Sequence, residues 1–266
     1  MTDETQNKKS FSAFRTILGS FNLFIDNFTQ FLIIGSVFSV IMMILNFVSG
    51  QSFFCLNENL KDYAICKINV FVYIVAMLLL WFIICMYMRI WSRTAILKRS
   101  NFSFKMLKPI MDDLKIYGVI FAFLLSIFVA LGAGFLLFIR VPNPDWKIEI
   151  MYFSVVSVGF FVPFFATPIL SYIGFVAEGK KLPSIKELWQ NVKGNITLLF
   201  ISFFSVGVFS FLAANIPLRY FMQMGYSENI FIVVIAEFFY NIIIMFLATI
   251  FMNYCYSQKK FLFERE

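Results

Sequence analysis

Histidine is missing from the 266-residue chain. That absence removes Ser-His-Asp and Cys-His catalysis, imidazole metal ligation and the usual pH switch. No Gly-rich phosphate loop follows a strand pattern, and no CxxC or HExxH occurs, so the common signatures of nucleotide, redox and zinc chemistry are lacking too. Charge is scarce: 14% of residues are charged, where a soluble domain carries about 25%. With 61% of the chain hydrophobic, polar side chains are too few to cover a water-soluble body, and lipid must cover part of it.

What is present is apolar sequence in long runs. A spanning helix needs about 20 mostly apolar residues, and six stretches qualify: Phe28 to Val48, Ile68 to Ile90, Tyr117 to Ile139, Met151 to Val176, Ile196 to Leu218 and Ile230 to Tyr254. The expected fold is therefore an all-α polytopic bundle forming a single integral membrane domain over 1–266. The start, Met1 to Ser10, is polar and does not resemble a cleavable signal, so the first span is expected to act as an uncleaved anchor. The fourth run carries Pro163 and Pro168; a broken or re-entrant element is its alternative reading. The 38 Phe suit contact with lipid and neighbouring helices, but they equally suit an AT-rich genome and carry no functional reading.

Charge orients the bundle. The N-terminal segment, the second and fourth connections and the C-terminal tail hold most of the 22 Lys and Arg, while the other side holds Lys61, Lys67, Arg140, Lys147 and Arg219. The richer side is expected to be cytoplasmic, with both termini inside. This distribution also accounts for the formal charge of +7: the basic residues flank apolar runs, where anionic lipid headgroups are the natural partners, and no basic block is long enough to suggest nucleic acid.

Each expected helical hairpin is preceded by a short amphipathic stretch: Ser12 to Asn27, Ser103 to Ile116 and Ser184 to Asn195. Phe14, Ile17, Leu18, Phe21 and Phe24 recur at helical spacing in the first, and Ile185, Leu188, Trp189 and Val192 in the third. Ser184 and Glu187 have the spacing of a capping box. Such helices should lie in the interface plane, which yields three interfacial helices and a threefold internal repeat of interfacial helix, span, external turn, span.

The segment Phe11 to Phe31, the Ala177-Glu178-Gly179-Lys180 step, and the Ser184 to Asn195 helix ending in Lys193-Gly194-Asn195 carry a resemblance. In layout the chain resembles bacterial six-span proteins of the glycerophosphoryl diester phosphodiesterase membrane-domain and YciC-like type. The resemblance implies the architecture and a bacterial inner membrane. It implies no phosphodiesterase activity, because that activity resides in a separate soluble domain.

Among single residues, Glu237 is the most conspicuous, since an ionisable group inside a span is costly. With Tyr240 and Asn241 at helical spacing, it reads either as a proton or cation relay or as a hydrogen-bonded packing element. Pro163 and Pro168 read first as plain kinks and second as part of a transport path. The adjacent pair Asp112-Asp113, between Lys108 and Lys115, reads as a solvated polar face rather than a metal site. Cys55 and Cys66 both fall in the first external loop; a periplasmic setting permits a disulfide between them, which would fold the loop into a small closed ring. Cys85 and Cys255 read as inert thiols.

The expected function is that of a non-enzymatic protein, without cofactor or metal, that organises lipid or a protein partner at the membrane. The alternative is a small transporter or channel using Glu237 and the Pro163/Pro168 span.

Overall fold

The computed structural model of the chain describes residues 13–50, 52–56, 70–99, 101–108, 110–140, 149, 152, 164 and 167–264. Helix dominates throughout, and no strand occurs among the described residues. The elements used below are α1 (Ala13–Asp26), α2 (Phe28–Val48), α3 (Phe53–Leu56), α4 (Val70–Trp91), α5 (Met111–Arg140), α6 (Ser171–Glu178), α7 (Ile185–Val192), α8 (Ile196–Met224) and α9 (Ile230–Phe263). Four helical segments among the described residues are long and apolar enough to cross a membrane: Phe28–Val48, Phe71–Ile96, Ile196–Met224 and Ile230–Phe263. The third expected run lies within the continuous 30-residue α5. Most of the fourth, including Pro163, lies outside the described residues.

Helix ends follow local chemistry. Gly179, at φ 71°, closes α6 in a Schellman arrangement: its amide donates to the Val176 carbonyl and the Lys180 amide to that of Phe175, each at 3.0 Å. α7 opens with the expected capping box, in which the Glu187 amide donates to Ser184 Oγ at 3.2 Å and the Ser184 amide to the Glu187 carboxylate at 3.4 Å. The amide of Phe231 donates to the Asn229 side chain at 3.0 Å to start α9. Beyond α4 the chain widens into a π-helical turn, Ser92–Ile96, where the Ser92 and Thr94 hydroxyls donate back to the carbonyls of Arg89 and Ile90.

The second amphipathic stretch does not form the interfacial helix expected of it. Instead a 3₁₀ turn, Phe104–Leu107, is followed by an extended Lys108, and α5 then runs from Met111 without a break through the apolar segment. The physical reason is Pro109, which disfavours helical backbone in the residue before it. Only the first and third stretches become separate short helices, so the three units are not alike.

α9 is the centre of the bundle, packing against α1, α2, α4, α6 and α8. It continues nine residues beyond Tyr254, where the apolar run ends, to Phe263. α1 lies on its far end with Thr16 and Ser20 buried and Ile17, Phe21 and Phe24 packed against the core, whereas Phe14, Leu18 and Ile25 face outward.

Candidate functional site

Polar groups gather on α9 in two places. Toward its C-terminal end, successive side chains each bind a different neighbour. Thr249 and the Tyr87 hydroxyl of α4 stand 2.5 Å apart. Asn253 accepts from the Trp91 indole at 2.8 Å and donates to the Ser20 carbonyl of α1 at 2.9 Å. The Tyr254 hydroxyl meets Ser202 and the Leu199 carbonyl of α8, and Gln258 donates to the Thr167 carbonyl. Each of these side chains is buried, and together the hydrogen bonds tie α9 to α1, α4, α8 and the turn at Thr167, so this half of the helix sets the arrangement of the bundle.

The same end holds two charged clusters. Lys259, only 1% exposed, donates to Glu178 Oε1 at 2.7 Å and also to Glu264. Lys180 reaches Glu178 at 2.6 Å and Glu264 at 3.0 Å, and Arg99 donates to the Glu178 carbonyl. Hydrogen bonds donated to Glu178 and then Glu264 hold the Lys180 ammonium well above the ordinary lysine range. Those from Lys259 and then Lys180 hold the Glu264 carboxyl below its ordinary value. Gly174 makes the close approach of Lys259 feasible, since a Cβ there would stand 2.8 Å from Lys259 Cβ.

In the second cluster Arg89 pairs with Asp113 at 2.5 Å, both fully buried, and donates further to the carbonyls of Met106 and Lys108. Asp113 also accepts from the Ile110 amide, fastening the first turn of α5. This corrects the reading of Asp112-Asp113 as a solvated face: Asp112 does face outward toward Arg93 and Lys115, but Asp113 is the buried anchor of a cation. Sequence spacing alone could not reveal it, because Arg89 lies 24 residues away.

At the opposite end of the bundle Glu237 is 3% exposed. One carboxylate oxygen accepts from the Ser52 hydroxyl and from the Phe53 amide, the latter at 3.2 Å, so Glu237 holds the short α3 in place. The Tyr240 ring packs edge-on against Phe53 at 5.1 Å, and a Cβ on Gly225 would collide with the same ring at 2.6 Å. Asn241 is buried one turn further along α9. Glu237, Tyr240 and Asn241 are thus brought to one region, whereas Pro168 lies in a 3₁₀ turn, Thr167–Leu170, beside the other end of α9. Pro168 and Glu237 therefore lie toward opposite ends of α9, and Pro163 lies outside the described residues.

Cys55 is half-buried and disulfide-bonded; Cys66, its expected partner, lies outside the described residues. Cys85 and Cys255 are buried thiols. Among the described residues no three of Cys, Asp and Glu converge as a metal site. An apolar groove between α4 and α5, lined by Tyr73, Met77, Trp81, Tyr117 and Phe121, does not reach Glu237.

The class defined by these features is an all-helical protein with several segments suited to a bilayer and an ion-paired polar layer at one end. Comparison with protein-family models, with curated proteins and with solved structures finds no match.

Proposed function

We propose that the chain is a six-span, non-enzymatic protein of the bacterial inner membrane that organises anionic lipid, and a protein partner with it, at its cytoplasmic face. The observation that carries this reading is the surface of α7 and the turn before it. Leu188 and Val192 anchor the helix against Leu199 and Leu262, while Leu182, Ile185 and Trp189 are exposed beside Lys181 and Lys186. An apolar row flanked by ammonium groups is what a headgroup layer accommodates. α1 offers a second such surface in Phe14, Leu18 and Ile25 beside an exposed Arg15.

Two further observations support the topology. The apolar part of α5 is long enough for a fifth crossing, and the run from Met151 to Val176 supplies the sixth in sequence. Arg89, Arg99, Lys180 and Lys259 gather at one end of the bundle, which supports a cytoplasmic setting for that end under the positive-inside rule, as the basic flanks in the sequence support it for both termini. The resemblance in layout to the glycerophosphoryl diester phosphodiesterase membrane-domain and YciC-like proteins supports the same architecture. A transport path through Glu237 is the weaker reading, because that carboxylate is engaged in holding Ser52 and Phe53.

The test is mass spectrometry of lipids retained by the gently extracted protein. Enrichment of phosphatidylglycerol or cardiolipin over phosphatidylethanolamine, lost on charge reversal of Lys181 and Lys186, is the expected result. Indifference to headgroup charge in both proteins overturns the proposal.

A further inference from the structure

Glu237 and Asn241 are four residues apart on α9, which places them on one face a single turn apart. Both are at least nine-tenths buried, at 3% and 1% exposure. Yet among the described residues three of their polar atoms have no hydrogen-bond partner: Glu237 Oε1, whose companion Oε2 serves Ser52 and Phe53, and both the oxygen and the nitrogen of the Asn241 carboxamide. Buried polar atoms without partners are rare, and each calls for an explanation such as an ion or a water. Among the described residues no Lys or Arg forms an ion pair with Glu237. From α2, the half-buried Asn46 side chain approaches the same carboxyl.

We propose that Glu237 and Asn241 form a binding site for a small, largely dehydrated monovalent cation of the sodium type. The ion would take one oxygen from each side chain, and water entering past Asn46 would complete its shell. One carboxylate matches one positive charge, whereas a divalent ion calls for more negative ligands and a fuller oxygen shell. A proton on Oε1 would also neutralise Glu237 and would donate to the Asn241 oxygen, so the response to sodium and the response to pH are measured separately. Oε1 would hold the ion while Oε2 holds Ser52 and the Phe53 amide, so occupancy would tie α9 to the segment that carries the disulfide-bonded Cys55.

Melting of the full-length chain in detergent, followed by intrinsic fluorescence, tests the site. Sodium chloride is titrated against choline chloride at constant ionic strength and pH 8. The expected result is a saturable rise in Tm with sodium that choline does not reproduce. The apparent sodium affinity should fall at least tenfold in Asn241→Ala and in Glu237→Gln. Asn241 makes no side-chain hydrogen bond, so its replacement keeps the test readable where Glu237→Gln fails to fold. Identical melting in the two salts overturns the proposal, as does an undiminished sodium response in Asn241→Ala. A Tm that depends on pH but not on sodium assigns the site to a proton and likewise overturns it.

Discussion

The Lys259 ammonium lies 2.7 Å from the Glu178 carboxylate across the contact between α9 and α6, with both side chains sealed from solvent. An ion pair in that position gains little over an apolar substitute, but losing one partner strands the other. Lys259→Met should therefore lower stability by about 3 kcal/mol, softened by the remaining contact of Lys180 with Glu178. Thermal melts of Lys259→Met, Glu178→Gln and the double variant would check this: the double variant should lose less than the two single losses combined.

Gly174 should tolerate no side chain. Alanine there would press on Lys259 Cβ at 2.8 Å and the Cys255 carbonyl at 3.1 Å, and overpacking of this kind costs about 1–3 kcal/mol. Gly207, in the outward face of α8, has nothing within 4 Å of a built Cβ. Gly207→Ala should be neutral or slightly stabilising, by up to about 1 kcal/mol from helix propensity. Parallel melts of the two variants distinguish them.

Asp113→Asn should be among the most damaging single substitutions, since it removes the negative charge opposite the buried Arg89 guanidinium and leaves it neutral acceptors, the Met106 and Lys108 carbonyls among them. A loss of about 3–5 kcal/mol is expected. Asp112→Asn, at the partly exposed neighbouring pair, should cost about 1 kcal/mol or less. Reversal of that order in chemical denaturation would contradict the assignment of Asp113 as the anchor.

Acid should loosen the Glu264 contact. Its carboxyl sits below the ordinary value because Lys259 and Lys180 hydrogen-bond to it. Its contribution is thus fully present above the unfolded value of about 4.3 and is lost as pH falls through the lower folded value. For Lys180 the sign is reversed: its contribution is complete below about 10.4 and is lost as pH rises through the raised folded value. Melts between pH 3 and 6 should show an acid limb that shrinks in Glu264→Gln. The change should be modest and salt-sensitive, because Glu264 is one-third exposed.

The four long apolar helices could be read from the sequence because the bilayer sets a length requirement that a linear scan can meet. Phe28–Val48 begins and ends where hydropathy places it. The Ser184 cap was legible for a related reason: its partner, Glu187, is three residues away. What escaped was long-range. Lys259 looked like a basic tail residue but is buried because Glu178, 81 residues earlier, comes to meet it, and Asp113 looked solvated until Arg89 was found beside it. Glu237 stood out as an ionisable residue in an apolar run, while its partners Ser52 and Phe53, 185 and 184 residues away, gave no signal.

The apolar residues that α1 leaves on its outer side bear on how the protein must be handled. With Thr16 and Ser20 turned toward α9 and Phe14, Leu18 and Ile25 turned away from it, the oily surface of the molecule continues beyond the long rods onto their flank. A surfactant collar sized only for the crossings would leave that flank bare. Solubilisation should accordingly favour micelles broad enough to wrap it, and trimming the chain before α2 would instead uncover Asn253 and Ser257, which Ser20 and Gly19 of α1 now face.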